Sequence, residues 1–248
     1  MEFLGSGHEW VLLNTYQPPH GGASLMVKIV DIMARQSKEE LTAFTKKVQS
    51  EFDPAEYPLT SLSESGPVLH CIDYLCDRTH YDLIALGTTG ASGLKEVLMG
   101  SVAANIVEKS KVPVLAIPSA AKYNGLNTLA VADDLAPVNN TQAIAFMLPT
   151  IERHKPALKL VHVSSKKNMA YDSSTSGIDE LFSNFKPSYH ISNDTDIARG
   201  LRKFNKENKV DILILLQRKE SAFLKWLIVS TSEEMAMHAR VPLLVLKD

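Results

Sequence analysis

Residues Tyr81–Ser101, YDLIALGTTGASGLKEVLMGS, join an apolar run to an amphipathic one through a glycine-rich turn. The run YDLIALG is typical of a strand buried on both faces. The apolar residues after it have the spacing of one helix face: Leu94, Val97, Leu98, Val102, Ile106 and Val107. Such a turn can hold a phosphate, because glycine N–H groups approach an anion closely and a helix N-terminus carries positive partial charge. It can equally be a plain connection in which glycine only supplies a positive φ, and the turn alone leaves both interpretations open.

An internal repeat extends this pattern to most of the chain. A shift of 129 residues places the C-terminal part over the middle without a gap, so that YDLIALG lies over VDILILL and Asp82 over Asp211. In the same alignment GSVAANIVEKSKVPVLAI lies over VSTSEEMAMHARVPLLVL. Both halves therefore end in a helix, a buried strand, a turn, a helix and a last apolar strand. This predicts two α/β units, residues 1–118 and 126–248, joined by the short polar linker SAAKYNGLN.

The sequence of the second unit predicts five strands that alternate with four helices. Alternation of this kind is typical of a doubly wound parallel sheet of the flavodoxin type, with strand order 3-2-1-4-5. We expect one of its helices to span Thr141–His154 and another to cover most of Glu220–Arg240.

The first unit differs at its start. It opens with EWVLLNTY, the counterpart of the second strand LKLVHVS, so its first strand and most of its first helix have no counterpart. MEFLGSG resembles the last turn of that helix with a glycine stop, which indicates a truncated form of a longer protein. Ser37 and Glu40 form a capping-box pattern, which predicts that a helix begins there.

The last strands and the missing strand lead to two further expectations. The strands around Val114–Ile117 and Leu243–Leu246 are short, apolar and at a sheet edge, so we expect them to pair antiparallel across a pseudo-twofold axis. The missing strand leaves WVLLNTY and LIALG with unpaired facing edges. Either these strands close up and pair directly, or another chain or segment fills the gap, or the chain is a truncated form of a longer protein, which we favour. We therefore expect the first unit to be the less stable one and the more prone to associate with another chain.

Composition narrows the class of protein. The chain has 248 residues, 45% apolar and 22% charged, with a formal net charge of −2, which is ordinary for a globular protein and gives no basic surface for nucleic acid or anionic membrane. Cys71 and Cys76 have the wrong spacing for a zinc site and fit reduced cytosolic thiols. The eight histidines show no metal-binding arrangement, and the N-terminus lacks an apolar leader. The sequence predicts a soluble cytoplasmic protein without a metal site.

Over nearly all its residues the chain resembles the universal stress protein family in its tandem two-domain form. Nucleotide-binding members carry Gly-x2-Gly-x9-Gly-Ser/Thr after the fourth strand, and this chain has the same spacing before its PVLAIP strand; TYQPP is also similar. The resemblance implies a flavodoxin-like, adenine-nucleotide-hydrolase-like fold and ATP as the ligand, with Mg²⁺ only as the nucleotide's own ion. The phosphate contacts that it implies are Gly87, Thr88, Gly90, Gly100, Ser101 and the Val102 N–H, with Gly93 as a steric spacer.

Two departures from the family pattern divide the site between the halves. The family aspartate that meets the nucleoside lies at the end of the first strand, which the first unit lacks; the second unit has Asp133 or Asp134 there. The second unit has instead lost its glycines, since Leu216, Lys219 and Val229 stand at the matched positions. Side chains there block close backbone approach, so we expect the second site to be inactive.

Three functions remain open from the sequence. The first is a non-catalytic stress-response protein that binds ATP, with the two units as a pseudo-dimer and with homodimers as a further option. The second is a ligand-free interaction module that acts by sheet pairing. The third is an ATP-using enzyme of adenylating or pyrophosphatase type. Such an enzyme requires an acid or a lysine that faces the glycine loop, and Thr88 and Thr89 are poor substitutes for one.

Overall fold

The computed structural model describes residues 1–18, 23–88, 99–166, 169–172, 177–218 and 241–248. The chain divides into two compact units, Met1–His80 and Tyr81–Asp248. The boundary between them, at residues 80 and 81, therefore falls inside the first unit of the sequence repeat, residues 1–118, which is called the first repeat below. Residues 126–248 are the second repeat. The last helix and last two strands of the first repeat belong to the compact unit that also contains the whole second repeat.

The first compact unit is a small parallel sheet with a long helix. Its elements are β1 (Trp10–Tyr16), α1 (Ala23–Glu51), β2 (Leu59–Ser65) and α2 (Val68–Cys76). β1 pairs in parallel with β2 along all seven residues, from Trp10 opposite Leu59 to Tyr16 opposite Ser65. Before β1, the Gly5 N–H donates to the Met1 carbonyl and Gly5 has a φ of 86°, which is the glycine-terminated turn that the sequence predicts.

The predicted helix start at Ser37 is wrong. α1 begins at Ala23, and Ser37 lies in its interior, where it is 5% exposed. Its hydroxyl accepts a hydrogen bond from Asn14 Nδ2 at 2.9 Å and lies 2.6 Å from Ser63 Oγ, so it faces the two strands instead of capping a helix. The Ser-x-x-Glu pattern does not mark a helix start here, because the Ser37 hydroxyl bonds to side chains of the strands and not to the backbone N–H three residues on.

The second compact unit contains a seven-stranded sheet. Its strands are β3 (Ile84–Gly87), β4 (Val114–Ile117), β5 (Thr128–Ala132), β6 (Ala157–Ser164), β7 (Ser188–Asn193), β8 (Ile212–Gln217) and β9 (Leu243–Lys247). The spatial order is β3-β4-β9-β8-β5-β6-β7. Counted within the second repeat, the strands β5 to β9 have the order 3-2-1-4-5. Continuous apolar runs such as ILILL in β8 are buried, as strands covered on both faces require.

β4 and β9 join the two repeats into one sheet. They pair antiparallel, with Val114 opposite Val245 and Ala116 opposite Leu243, as the sequence predicts, and every other strand pair in this sheet is parallel. Val114, Ala116 and Val245 are 0% exposed. The strands that each repeat would leave at an edge therefore lie inside a common core.

The helices of the second compact unit are α3 (Ser101–Lys109), α4 (Thr141–Ala145), α5 (Leu148–His154), α6 (Ile178–Phe182) and α7 (Ile197–Asn208). The single helix expected over Thr141–His154 is wrong, because it breaks between α4 and α5. Pro149 lies in the first turn of α5; it has no N–H and disfavours a helical residue before it.

The helix expected to run from Leu94 to Val107 is also corrected where the structure describes it. Met99 and Gly100 are not helical, and α3 begins at Ser101. Val102 is 56% exposed whereas Val107 is 0% exposed, so the two do not share a buried face. Residues 89–98, and residues 219–240 with the expected last helix, lie outside the described residues. The fold is thus α/β with mainly parallel sheets. None of the described helices is long and apolar enough to cross a membrane.

Candidate functional site

The two ends of the glycine-rich segment meet at the carboxyl end of β3. The Thr88 N–H donates to the Ile117 carbonyl of β4 at 3.0 Å, and the Gly100 N–H donates to the Thr88 carbonyl at 2.7 Å. These two bonds place the start of α3 directly beside the end of β3. Carboxyl ends of strands are where open α/β sheets bind their ligands.

The described glycines of this segment are not there for their backbone angles. Gly100 has a φ of −58°, and Gly87 is not among the residues with positive φ. A Cβ built on Gly87 would lie 4.0 Å from the Ile117 carbonyl oxygen, which is ordinary van der Waals contact. The interpretation that glycine only supplies a positive φ therefore fails at both positions, and close approach of another group is the remaining physical reason for glycine.

A buried hydroxyl lies at the same place. Thr88 is 4% exposed, and its Oγ1 has no hydrogen-bond partner among the described residues. An unpartnered buried hydroxyl costs about 1–3 kcal/mol. This cost is removed if a ligand oxygen accepts its hydrogen bond.

The N-terminus of α3 provides N–H donors. Gly100 is the N-cap residue and has no side chain to cap the helix, and the first intrahelical bond runs from the Ala104 N–H to the Gly100 carbonyl at 2.9 Å. The N–H groups of Ser101 and Val102 thus have no partner within the helix, and both residues are exposed. The helix dipole adds positive partial charge at this end.

The structure brings together five of the six residues expected to contact phosphate: Gly87, Thr88, Gly100, Ser101 and Val102. Gly90 and Gly93 lie outside the described residues. The described part of the chain contains no group of three or more His, Cys, Asp or Glu side chains that could hold a metal ion.

In the second repeat an arginine lies in the crevice between the carboxyl ends of β8 and β5, while the matched positions 219 and 229 lie outside the described residues. Arg218 follows β8, and its guanidinium contacts the Asp134 carboxylate, donates to Asp248 Oδ2 at 2.6 Å and donates to the Ala136 carbonyl at 2.9 Å. Asp248 has a side chain that is 0% exposed. Burial alone would raise the pKa of Asp248, but hydrogen bonds from the Asn140 N–H, Arg218 and the Asn139 N–H hold it below its usual range.

Asp133 is also engaged by the protein. It is 1% exposed, its Oδ1 accepts from the Leu135 N–H at 2.9 Å, and its Oδ2 accepts from the Tyr171 hydroxyl at 2.7 Å. His162 Nδ1 lies 2.8 Å from the Asp133 carbonyl. Both aspartates expected to face a nucleoside therefore hold groups of the chain itself.

Sequence reasoning missed Arg218, Tyr171 and Asp248 as parts of this crevice. One signal was present for Arg218, since a charged residue directly after the buried run ILILLQ must lie at the carboxyl end of the strand. Tyr171 and Asp248 carry no comparable signal, because their contacts join residues 38 and 30 positions apart.

The comparisons with known proteins agree on one family. The model of the universal stress protein family matches residues 5–118 and 180–247. Two curated relatives from Methanocaldococcus jannaschii, universal stress proteins MJ0531 and MJ0577, are each 27% identical, over 36% and 39% of this chain. The matched regions span 51% and 62% of those relatives, so the similarity covers about half of their length.

Solved structures show the same fold. A universal stress protein from Archaeoglobus fulgidus superposes with a TM-score of 0.66 at 20% identity, over 97% of this chain and 86% of that one. The functionally unknown protein PA1789 from Pseudomonas aeruginosa superposes with a TM-score of 0.61 at 12% identity, over 99% and 94%. Because the family model matches well over half of the residues, this chain belongs to the universal stress protein family.

Proposed function

We propose that the chain is a non-catalytic regulatory protein that binds an adenine nucleotide, ATP, through the first-repeat segment from Gly87 to Val102. The observation that carries the proposal is the buried Thr88 hydroxyl without a partner among the described residues, beside the uncapped N-terminus of α3. A phosphate oxygen is the acceptor that this hydroxyl and the Ser101 and Val102 N–H groups share.

The glycines support the same ligand. Neither Gly87 nor Gly100 needs glycine for its φ, and the space over Gly87 accepts a Cβ. Gly90 completes the proposed contacts and Gly93 is the steric spacer, as the family resemblance implies, and Mg²⁺ enters only with the nucleotide. The second repeat takes no nucleotide in this proposal, because Arg218 already occupies its crevice.

A titration of the full chain with ATP by calorimetry tests the proposal. Wild type binds ATP, and Gly100→Val, which copies Val229 of the second repeat, loses at least about tenfold in affinity. Ser101→Ala is a smaller change at the same helix end, and it tests the same site if the Gly100→Val variant does not fold. Equal affinity in wild type and both variants would exclude this segment as the phosphate site. Mass spectrometry of nucleotide retained through purification identifies the base and the number of phosphates.

A second candidate is a ligand-free interaction module. The antiparallel β4–β9 pair favours it, since the two repeats already associate through their last strands, as they would in a pseudo-dimer. Under this candidate the purified chain retains no nucleotide, ATP produces no heat, and a protein partner or a second copy is the ligand. We place either function in the cytoplasm, and ATP turnover to ADP or AMP would replace both with the enzyme alternative.

A further inference from the structure

Two side chains of the second repeat hold the C-terminal end of α3. Lys247 Nζ donates to the Val107 carbonyl at 2.6 Å and contacts Gln217 Oε1, while Gln217 Nε2 donates to the Glu108 carbonyl at 2.7 Å. The last carbonyls of a helix have no partner within it. Lys247 and Gln217 supply that partner for two of them.

Lys247 is an unusual residue at this position. It is the last residue of β9, and burial of its ammonium lowers its pKa to about 8. Removing an ammonium from water is unfavourable unless acceptors replace the water. Here a helix carbonyl and an amide oxygen do so, and the negative end of the α3 dipole adds to the stabilisation.

The residues that make this contact have different counterparts in the first repeat. In the 129-residue repeat, Gln217 and Lys247 stand where the first repeat has Thr88 and Pro118. Proline has no side-chain donor, so the first repeat cannot make a matching contact through Pro118. The residue at Gln217's matched position, Thr88, instead lies at the proposed phosphate site.

We propose that Lys247 and Gln217 are positioning residues for the first-repeat nucleotide site, so that the second repeat serves as its scaffold. This inference rests on the proposed function. α3 has nine residues and is about 13 Å long, so a fixed C-terminal end limits tilt and sliding at the N-terminal end, where the Gly100 N–H meets the Thr88 carbonyl. Anion recognition by N–H groups depends on their position to within a fraction of an ångström.

The test compares full-length wild type with Lys247→Met, Lys247→Arg, Gln217→Leu and the control Lys111→Met. Lys111 is exposed and follows α3, so its loss changes the net charge near the same helix end without removing a bond to its carbonyls. The ATP dissociation constant comes from calorimetry, and the exchange of the Ala104–Lys109 amides comes from mass spectrometry.

We expect Lys247→Met to weaken ATP binding about tenfold and to speed exchange in α3, with a smaller effect of the same kind in Gln217→Leu. Lys247→Arg should return to within about threefold of wild type, because it restores a cationic donor, and Lys111→Met should match wild type. A purely structural role lowers the free energy of unfolding but leaves the affinity of the folded protein unchanged.

The outcomes separate this inference from the proposed function. If wild type binds ATP and both Lys247→Met and Gln217→Leu bind it equally well, the positioning role is wrong, whatever happens to exchange. If wild type itself binds no ATP, the proposed function fails, and with it the purpose assigned to Lys247. Should Lys247→Met not fold, Gln217→Leu decides.

Discussion

The guanidinium of Arg218 contacts the carboxylate of Asp134 and so joins the carboxyl ends of β8 and β5. These two strands are neighbours at the point where the strand order of the second repeat reverses. Open α/β sheets bind ligands at such a point. Among the described residues of the second repeat, the Asp134 carboxylate at this point is thus held by a side chain of the protein, whereas at the first-repeat site the Thr88 hydroxyl has no partner in the part of the chain that the structure describes.

Gly87→Ala should weaken ATP binding while leaving the fold intact. The backbone of Gly87 does not have a positive φ, and the added methyl would meet the Ile117 oxygen only at 4.0 Å. We expect the free energy of unfolding to stay within about 0.5 kcal/mol of wild type and the ATP affinity to fall at least about tenfold. Urea denaturation and calorimetry on the same sample measure the two quantities.

Gly200→Ala is the matched comparison for that variant. A Cβ at Gly200 would lie 2.6 Å from Val163 Cγ1, so the same substitution should cost about 1–3 kcal/mol of stability. Its folded form should bind ATP like wild type. If Gly87→Ala keeps full ATP affinity, the proposal that a phosphate lies close to the end of β3 is wrong.

Thr88→Val should stabilise the free protein and weaken its complex. Valine has the shape of threonine and removes a buried hydroxyl that lacks a partner among the described residues. We expect up to about 1 kcal/mol of added stability without ATP and a loss of affinity with it. Thr45→Val is the control, since the Thr45 hydroxyl donates to the Leu41 carbonyl at 2.8 Å; that variant should lose stability and keep its ATP affinity. Opposite signs for the two variants are the sharpest part of this prediction.

The sequence predicts those parts of the fold that depend on local pattern and on the repeat. β8 is a run of apolar residues buried on both faces, and the matched VPVLAI and VPLLVL segments predict the β4–β9 pair, because both strands would otherwise be edges. The errors arise where a distant partner changes the meaning of a local motif. Ser37 fits a capping box but bonds to Asn14 and Ser63, which are 23 and 26 positions away.

The candidate site divides in the same way. Gly87 and Gly100 are recognisable from their spacing, but the unpartnered state of the Thr88 hydroxyl depends on how β3, β4 and α3 pack. The ion-pair network of the second crevice needs Arg218, Asp134 and Asp248, which lie up to 114 positions apart and meet only in the folded sheet. Repeat comparison shows which residues replace the glycines, not which charged side chains meet at the carboxyl ends of β8 and β5.

Arg218→Met should destabilise the chain and reduce its sensitivity to acid. The substitution leaves the buried Asp248 carboxylate without its cationic partner, at a cost of about 3 kcal/mol. Because the pKa of Asp248 is lowered in the folded state, its contribution is present above the unfolded pKa of about 3.9 and is lost as pH falls through the folded value. Urea denaturation between pH 3 and 7 should therefore show a flatter profile in the variant.

Arg199→Met supplies the control for that profile. Arg199 pairs with Asp194 at 2.6 Å, but the arginine side chain is 53% exposed, and exposed pairs contribute about 0–1 kcal/mol. An Arg218→Met variant no less stable than Arg199→Met would mean that the crevice network contributes little to the fold.

The free energy of unfolding should rise as the pH rises above 8, because the Lys247 ammonium loses its proton in the folded chain first. Burial lowers the folded pKa of Lys247 to about 8, whereas the unfolded value is about 10.4. Between these values the unfolded chain binds more protons than the folded one, so the free energy of unfolding rises with pH, by about 1.4 kcal/mol for each unit of pKa difference. The free energy of unfolding of wild type minus that of Lys247→Met, measured in urea at pH 8 and at pH 10, gives the contribution of Lys247 alone. A difference independent of pH would show that the Lys247 pKa is not lowered.

Hydrogen exchange should be much faster in β1 than in β6. Among the described residues β1 pairs only with β2, in a two-stranded sheet, and Val11 is 36% exposed. β6 pairs with β5 on one side and β7 on the other, and Leu160 and Val161 are 0% exposed. Two-stranded sheets are only marginally stable by themselves, and local opening is easiest where few apolar groups are buried. We expect at least about tenfold less protection in Val11–Thr15 than in Leu160–Val163.

The protein concentration decides how that difference is interpreted. If the first unit associates with another chain, protection of Val11–Thr15 rises with protein concentration while protection of Leu160–Val163 does not, because only a free strand edge gains a partner. Sedimentation at the same concentrations gives the oligomeric state. Equal protection of the two segments in a monomer would show that the first compact unit is as stable as the second, and that the edge of β1 without a strand partner among the described residues has no energetic consequence.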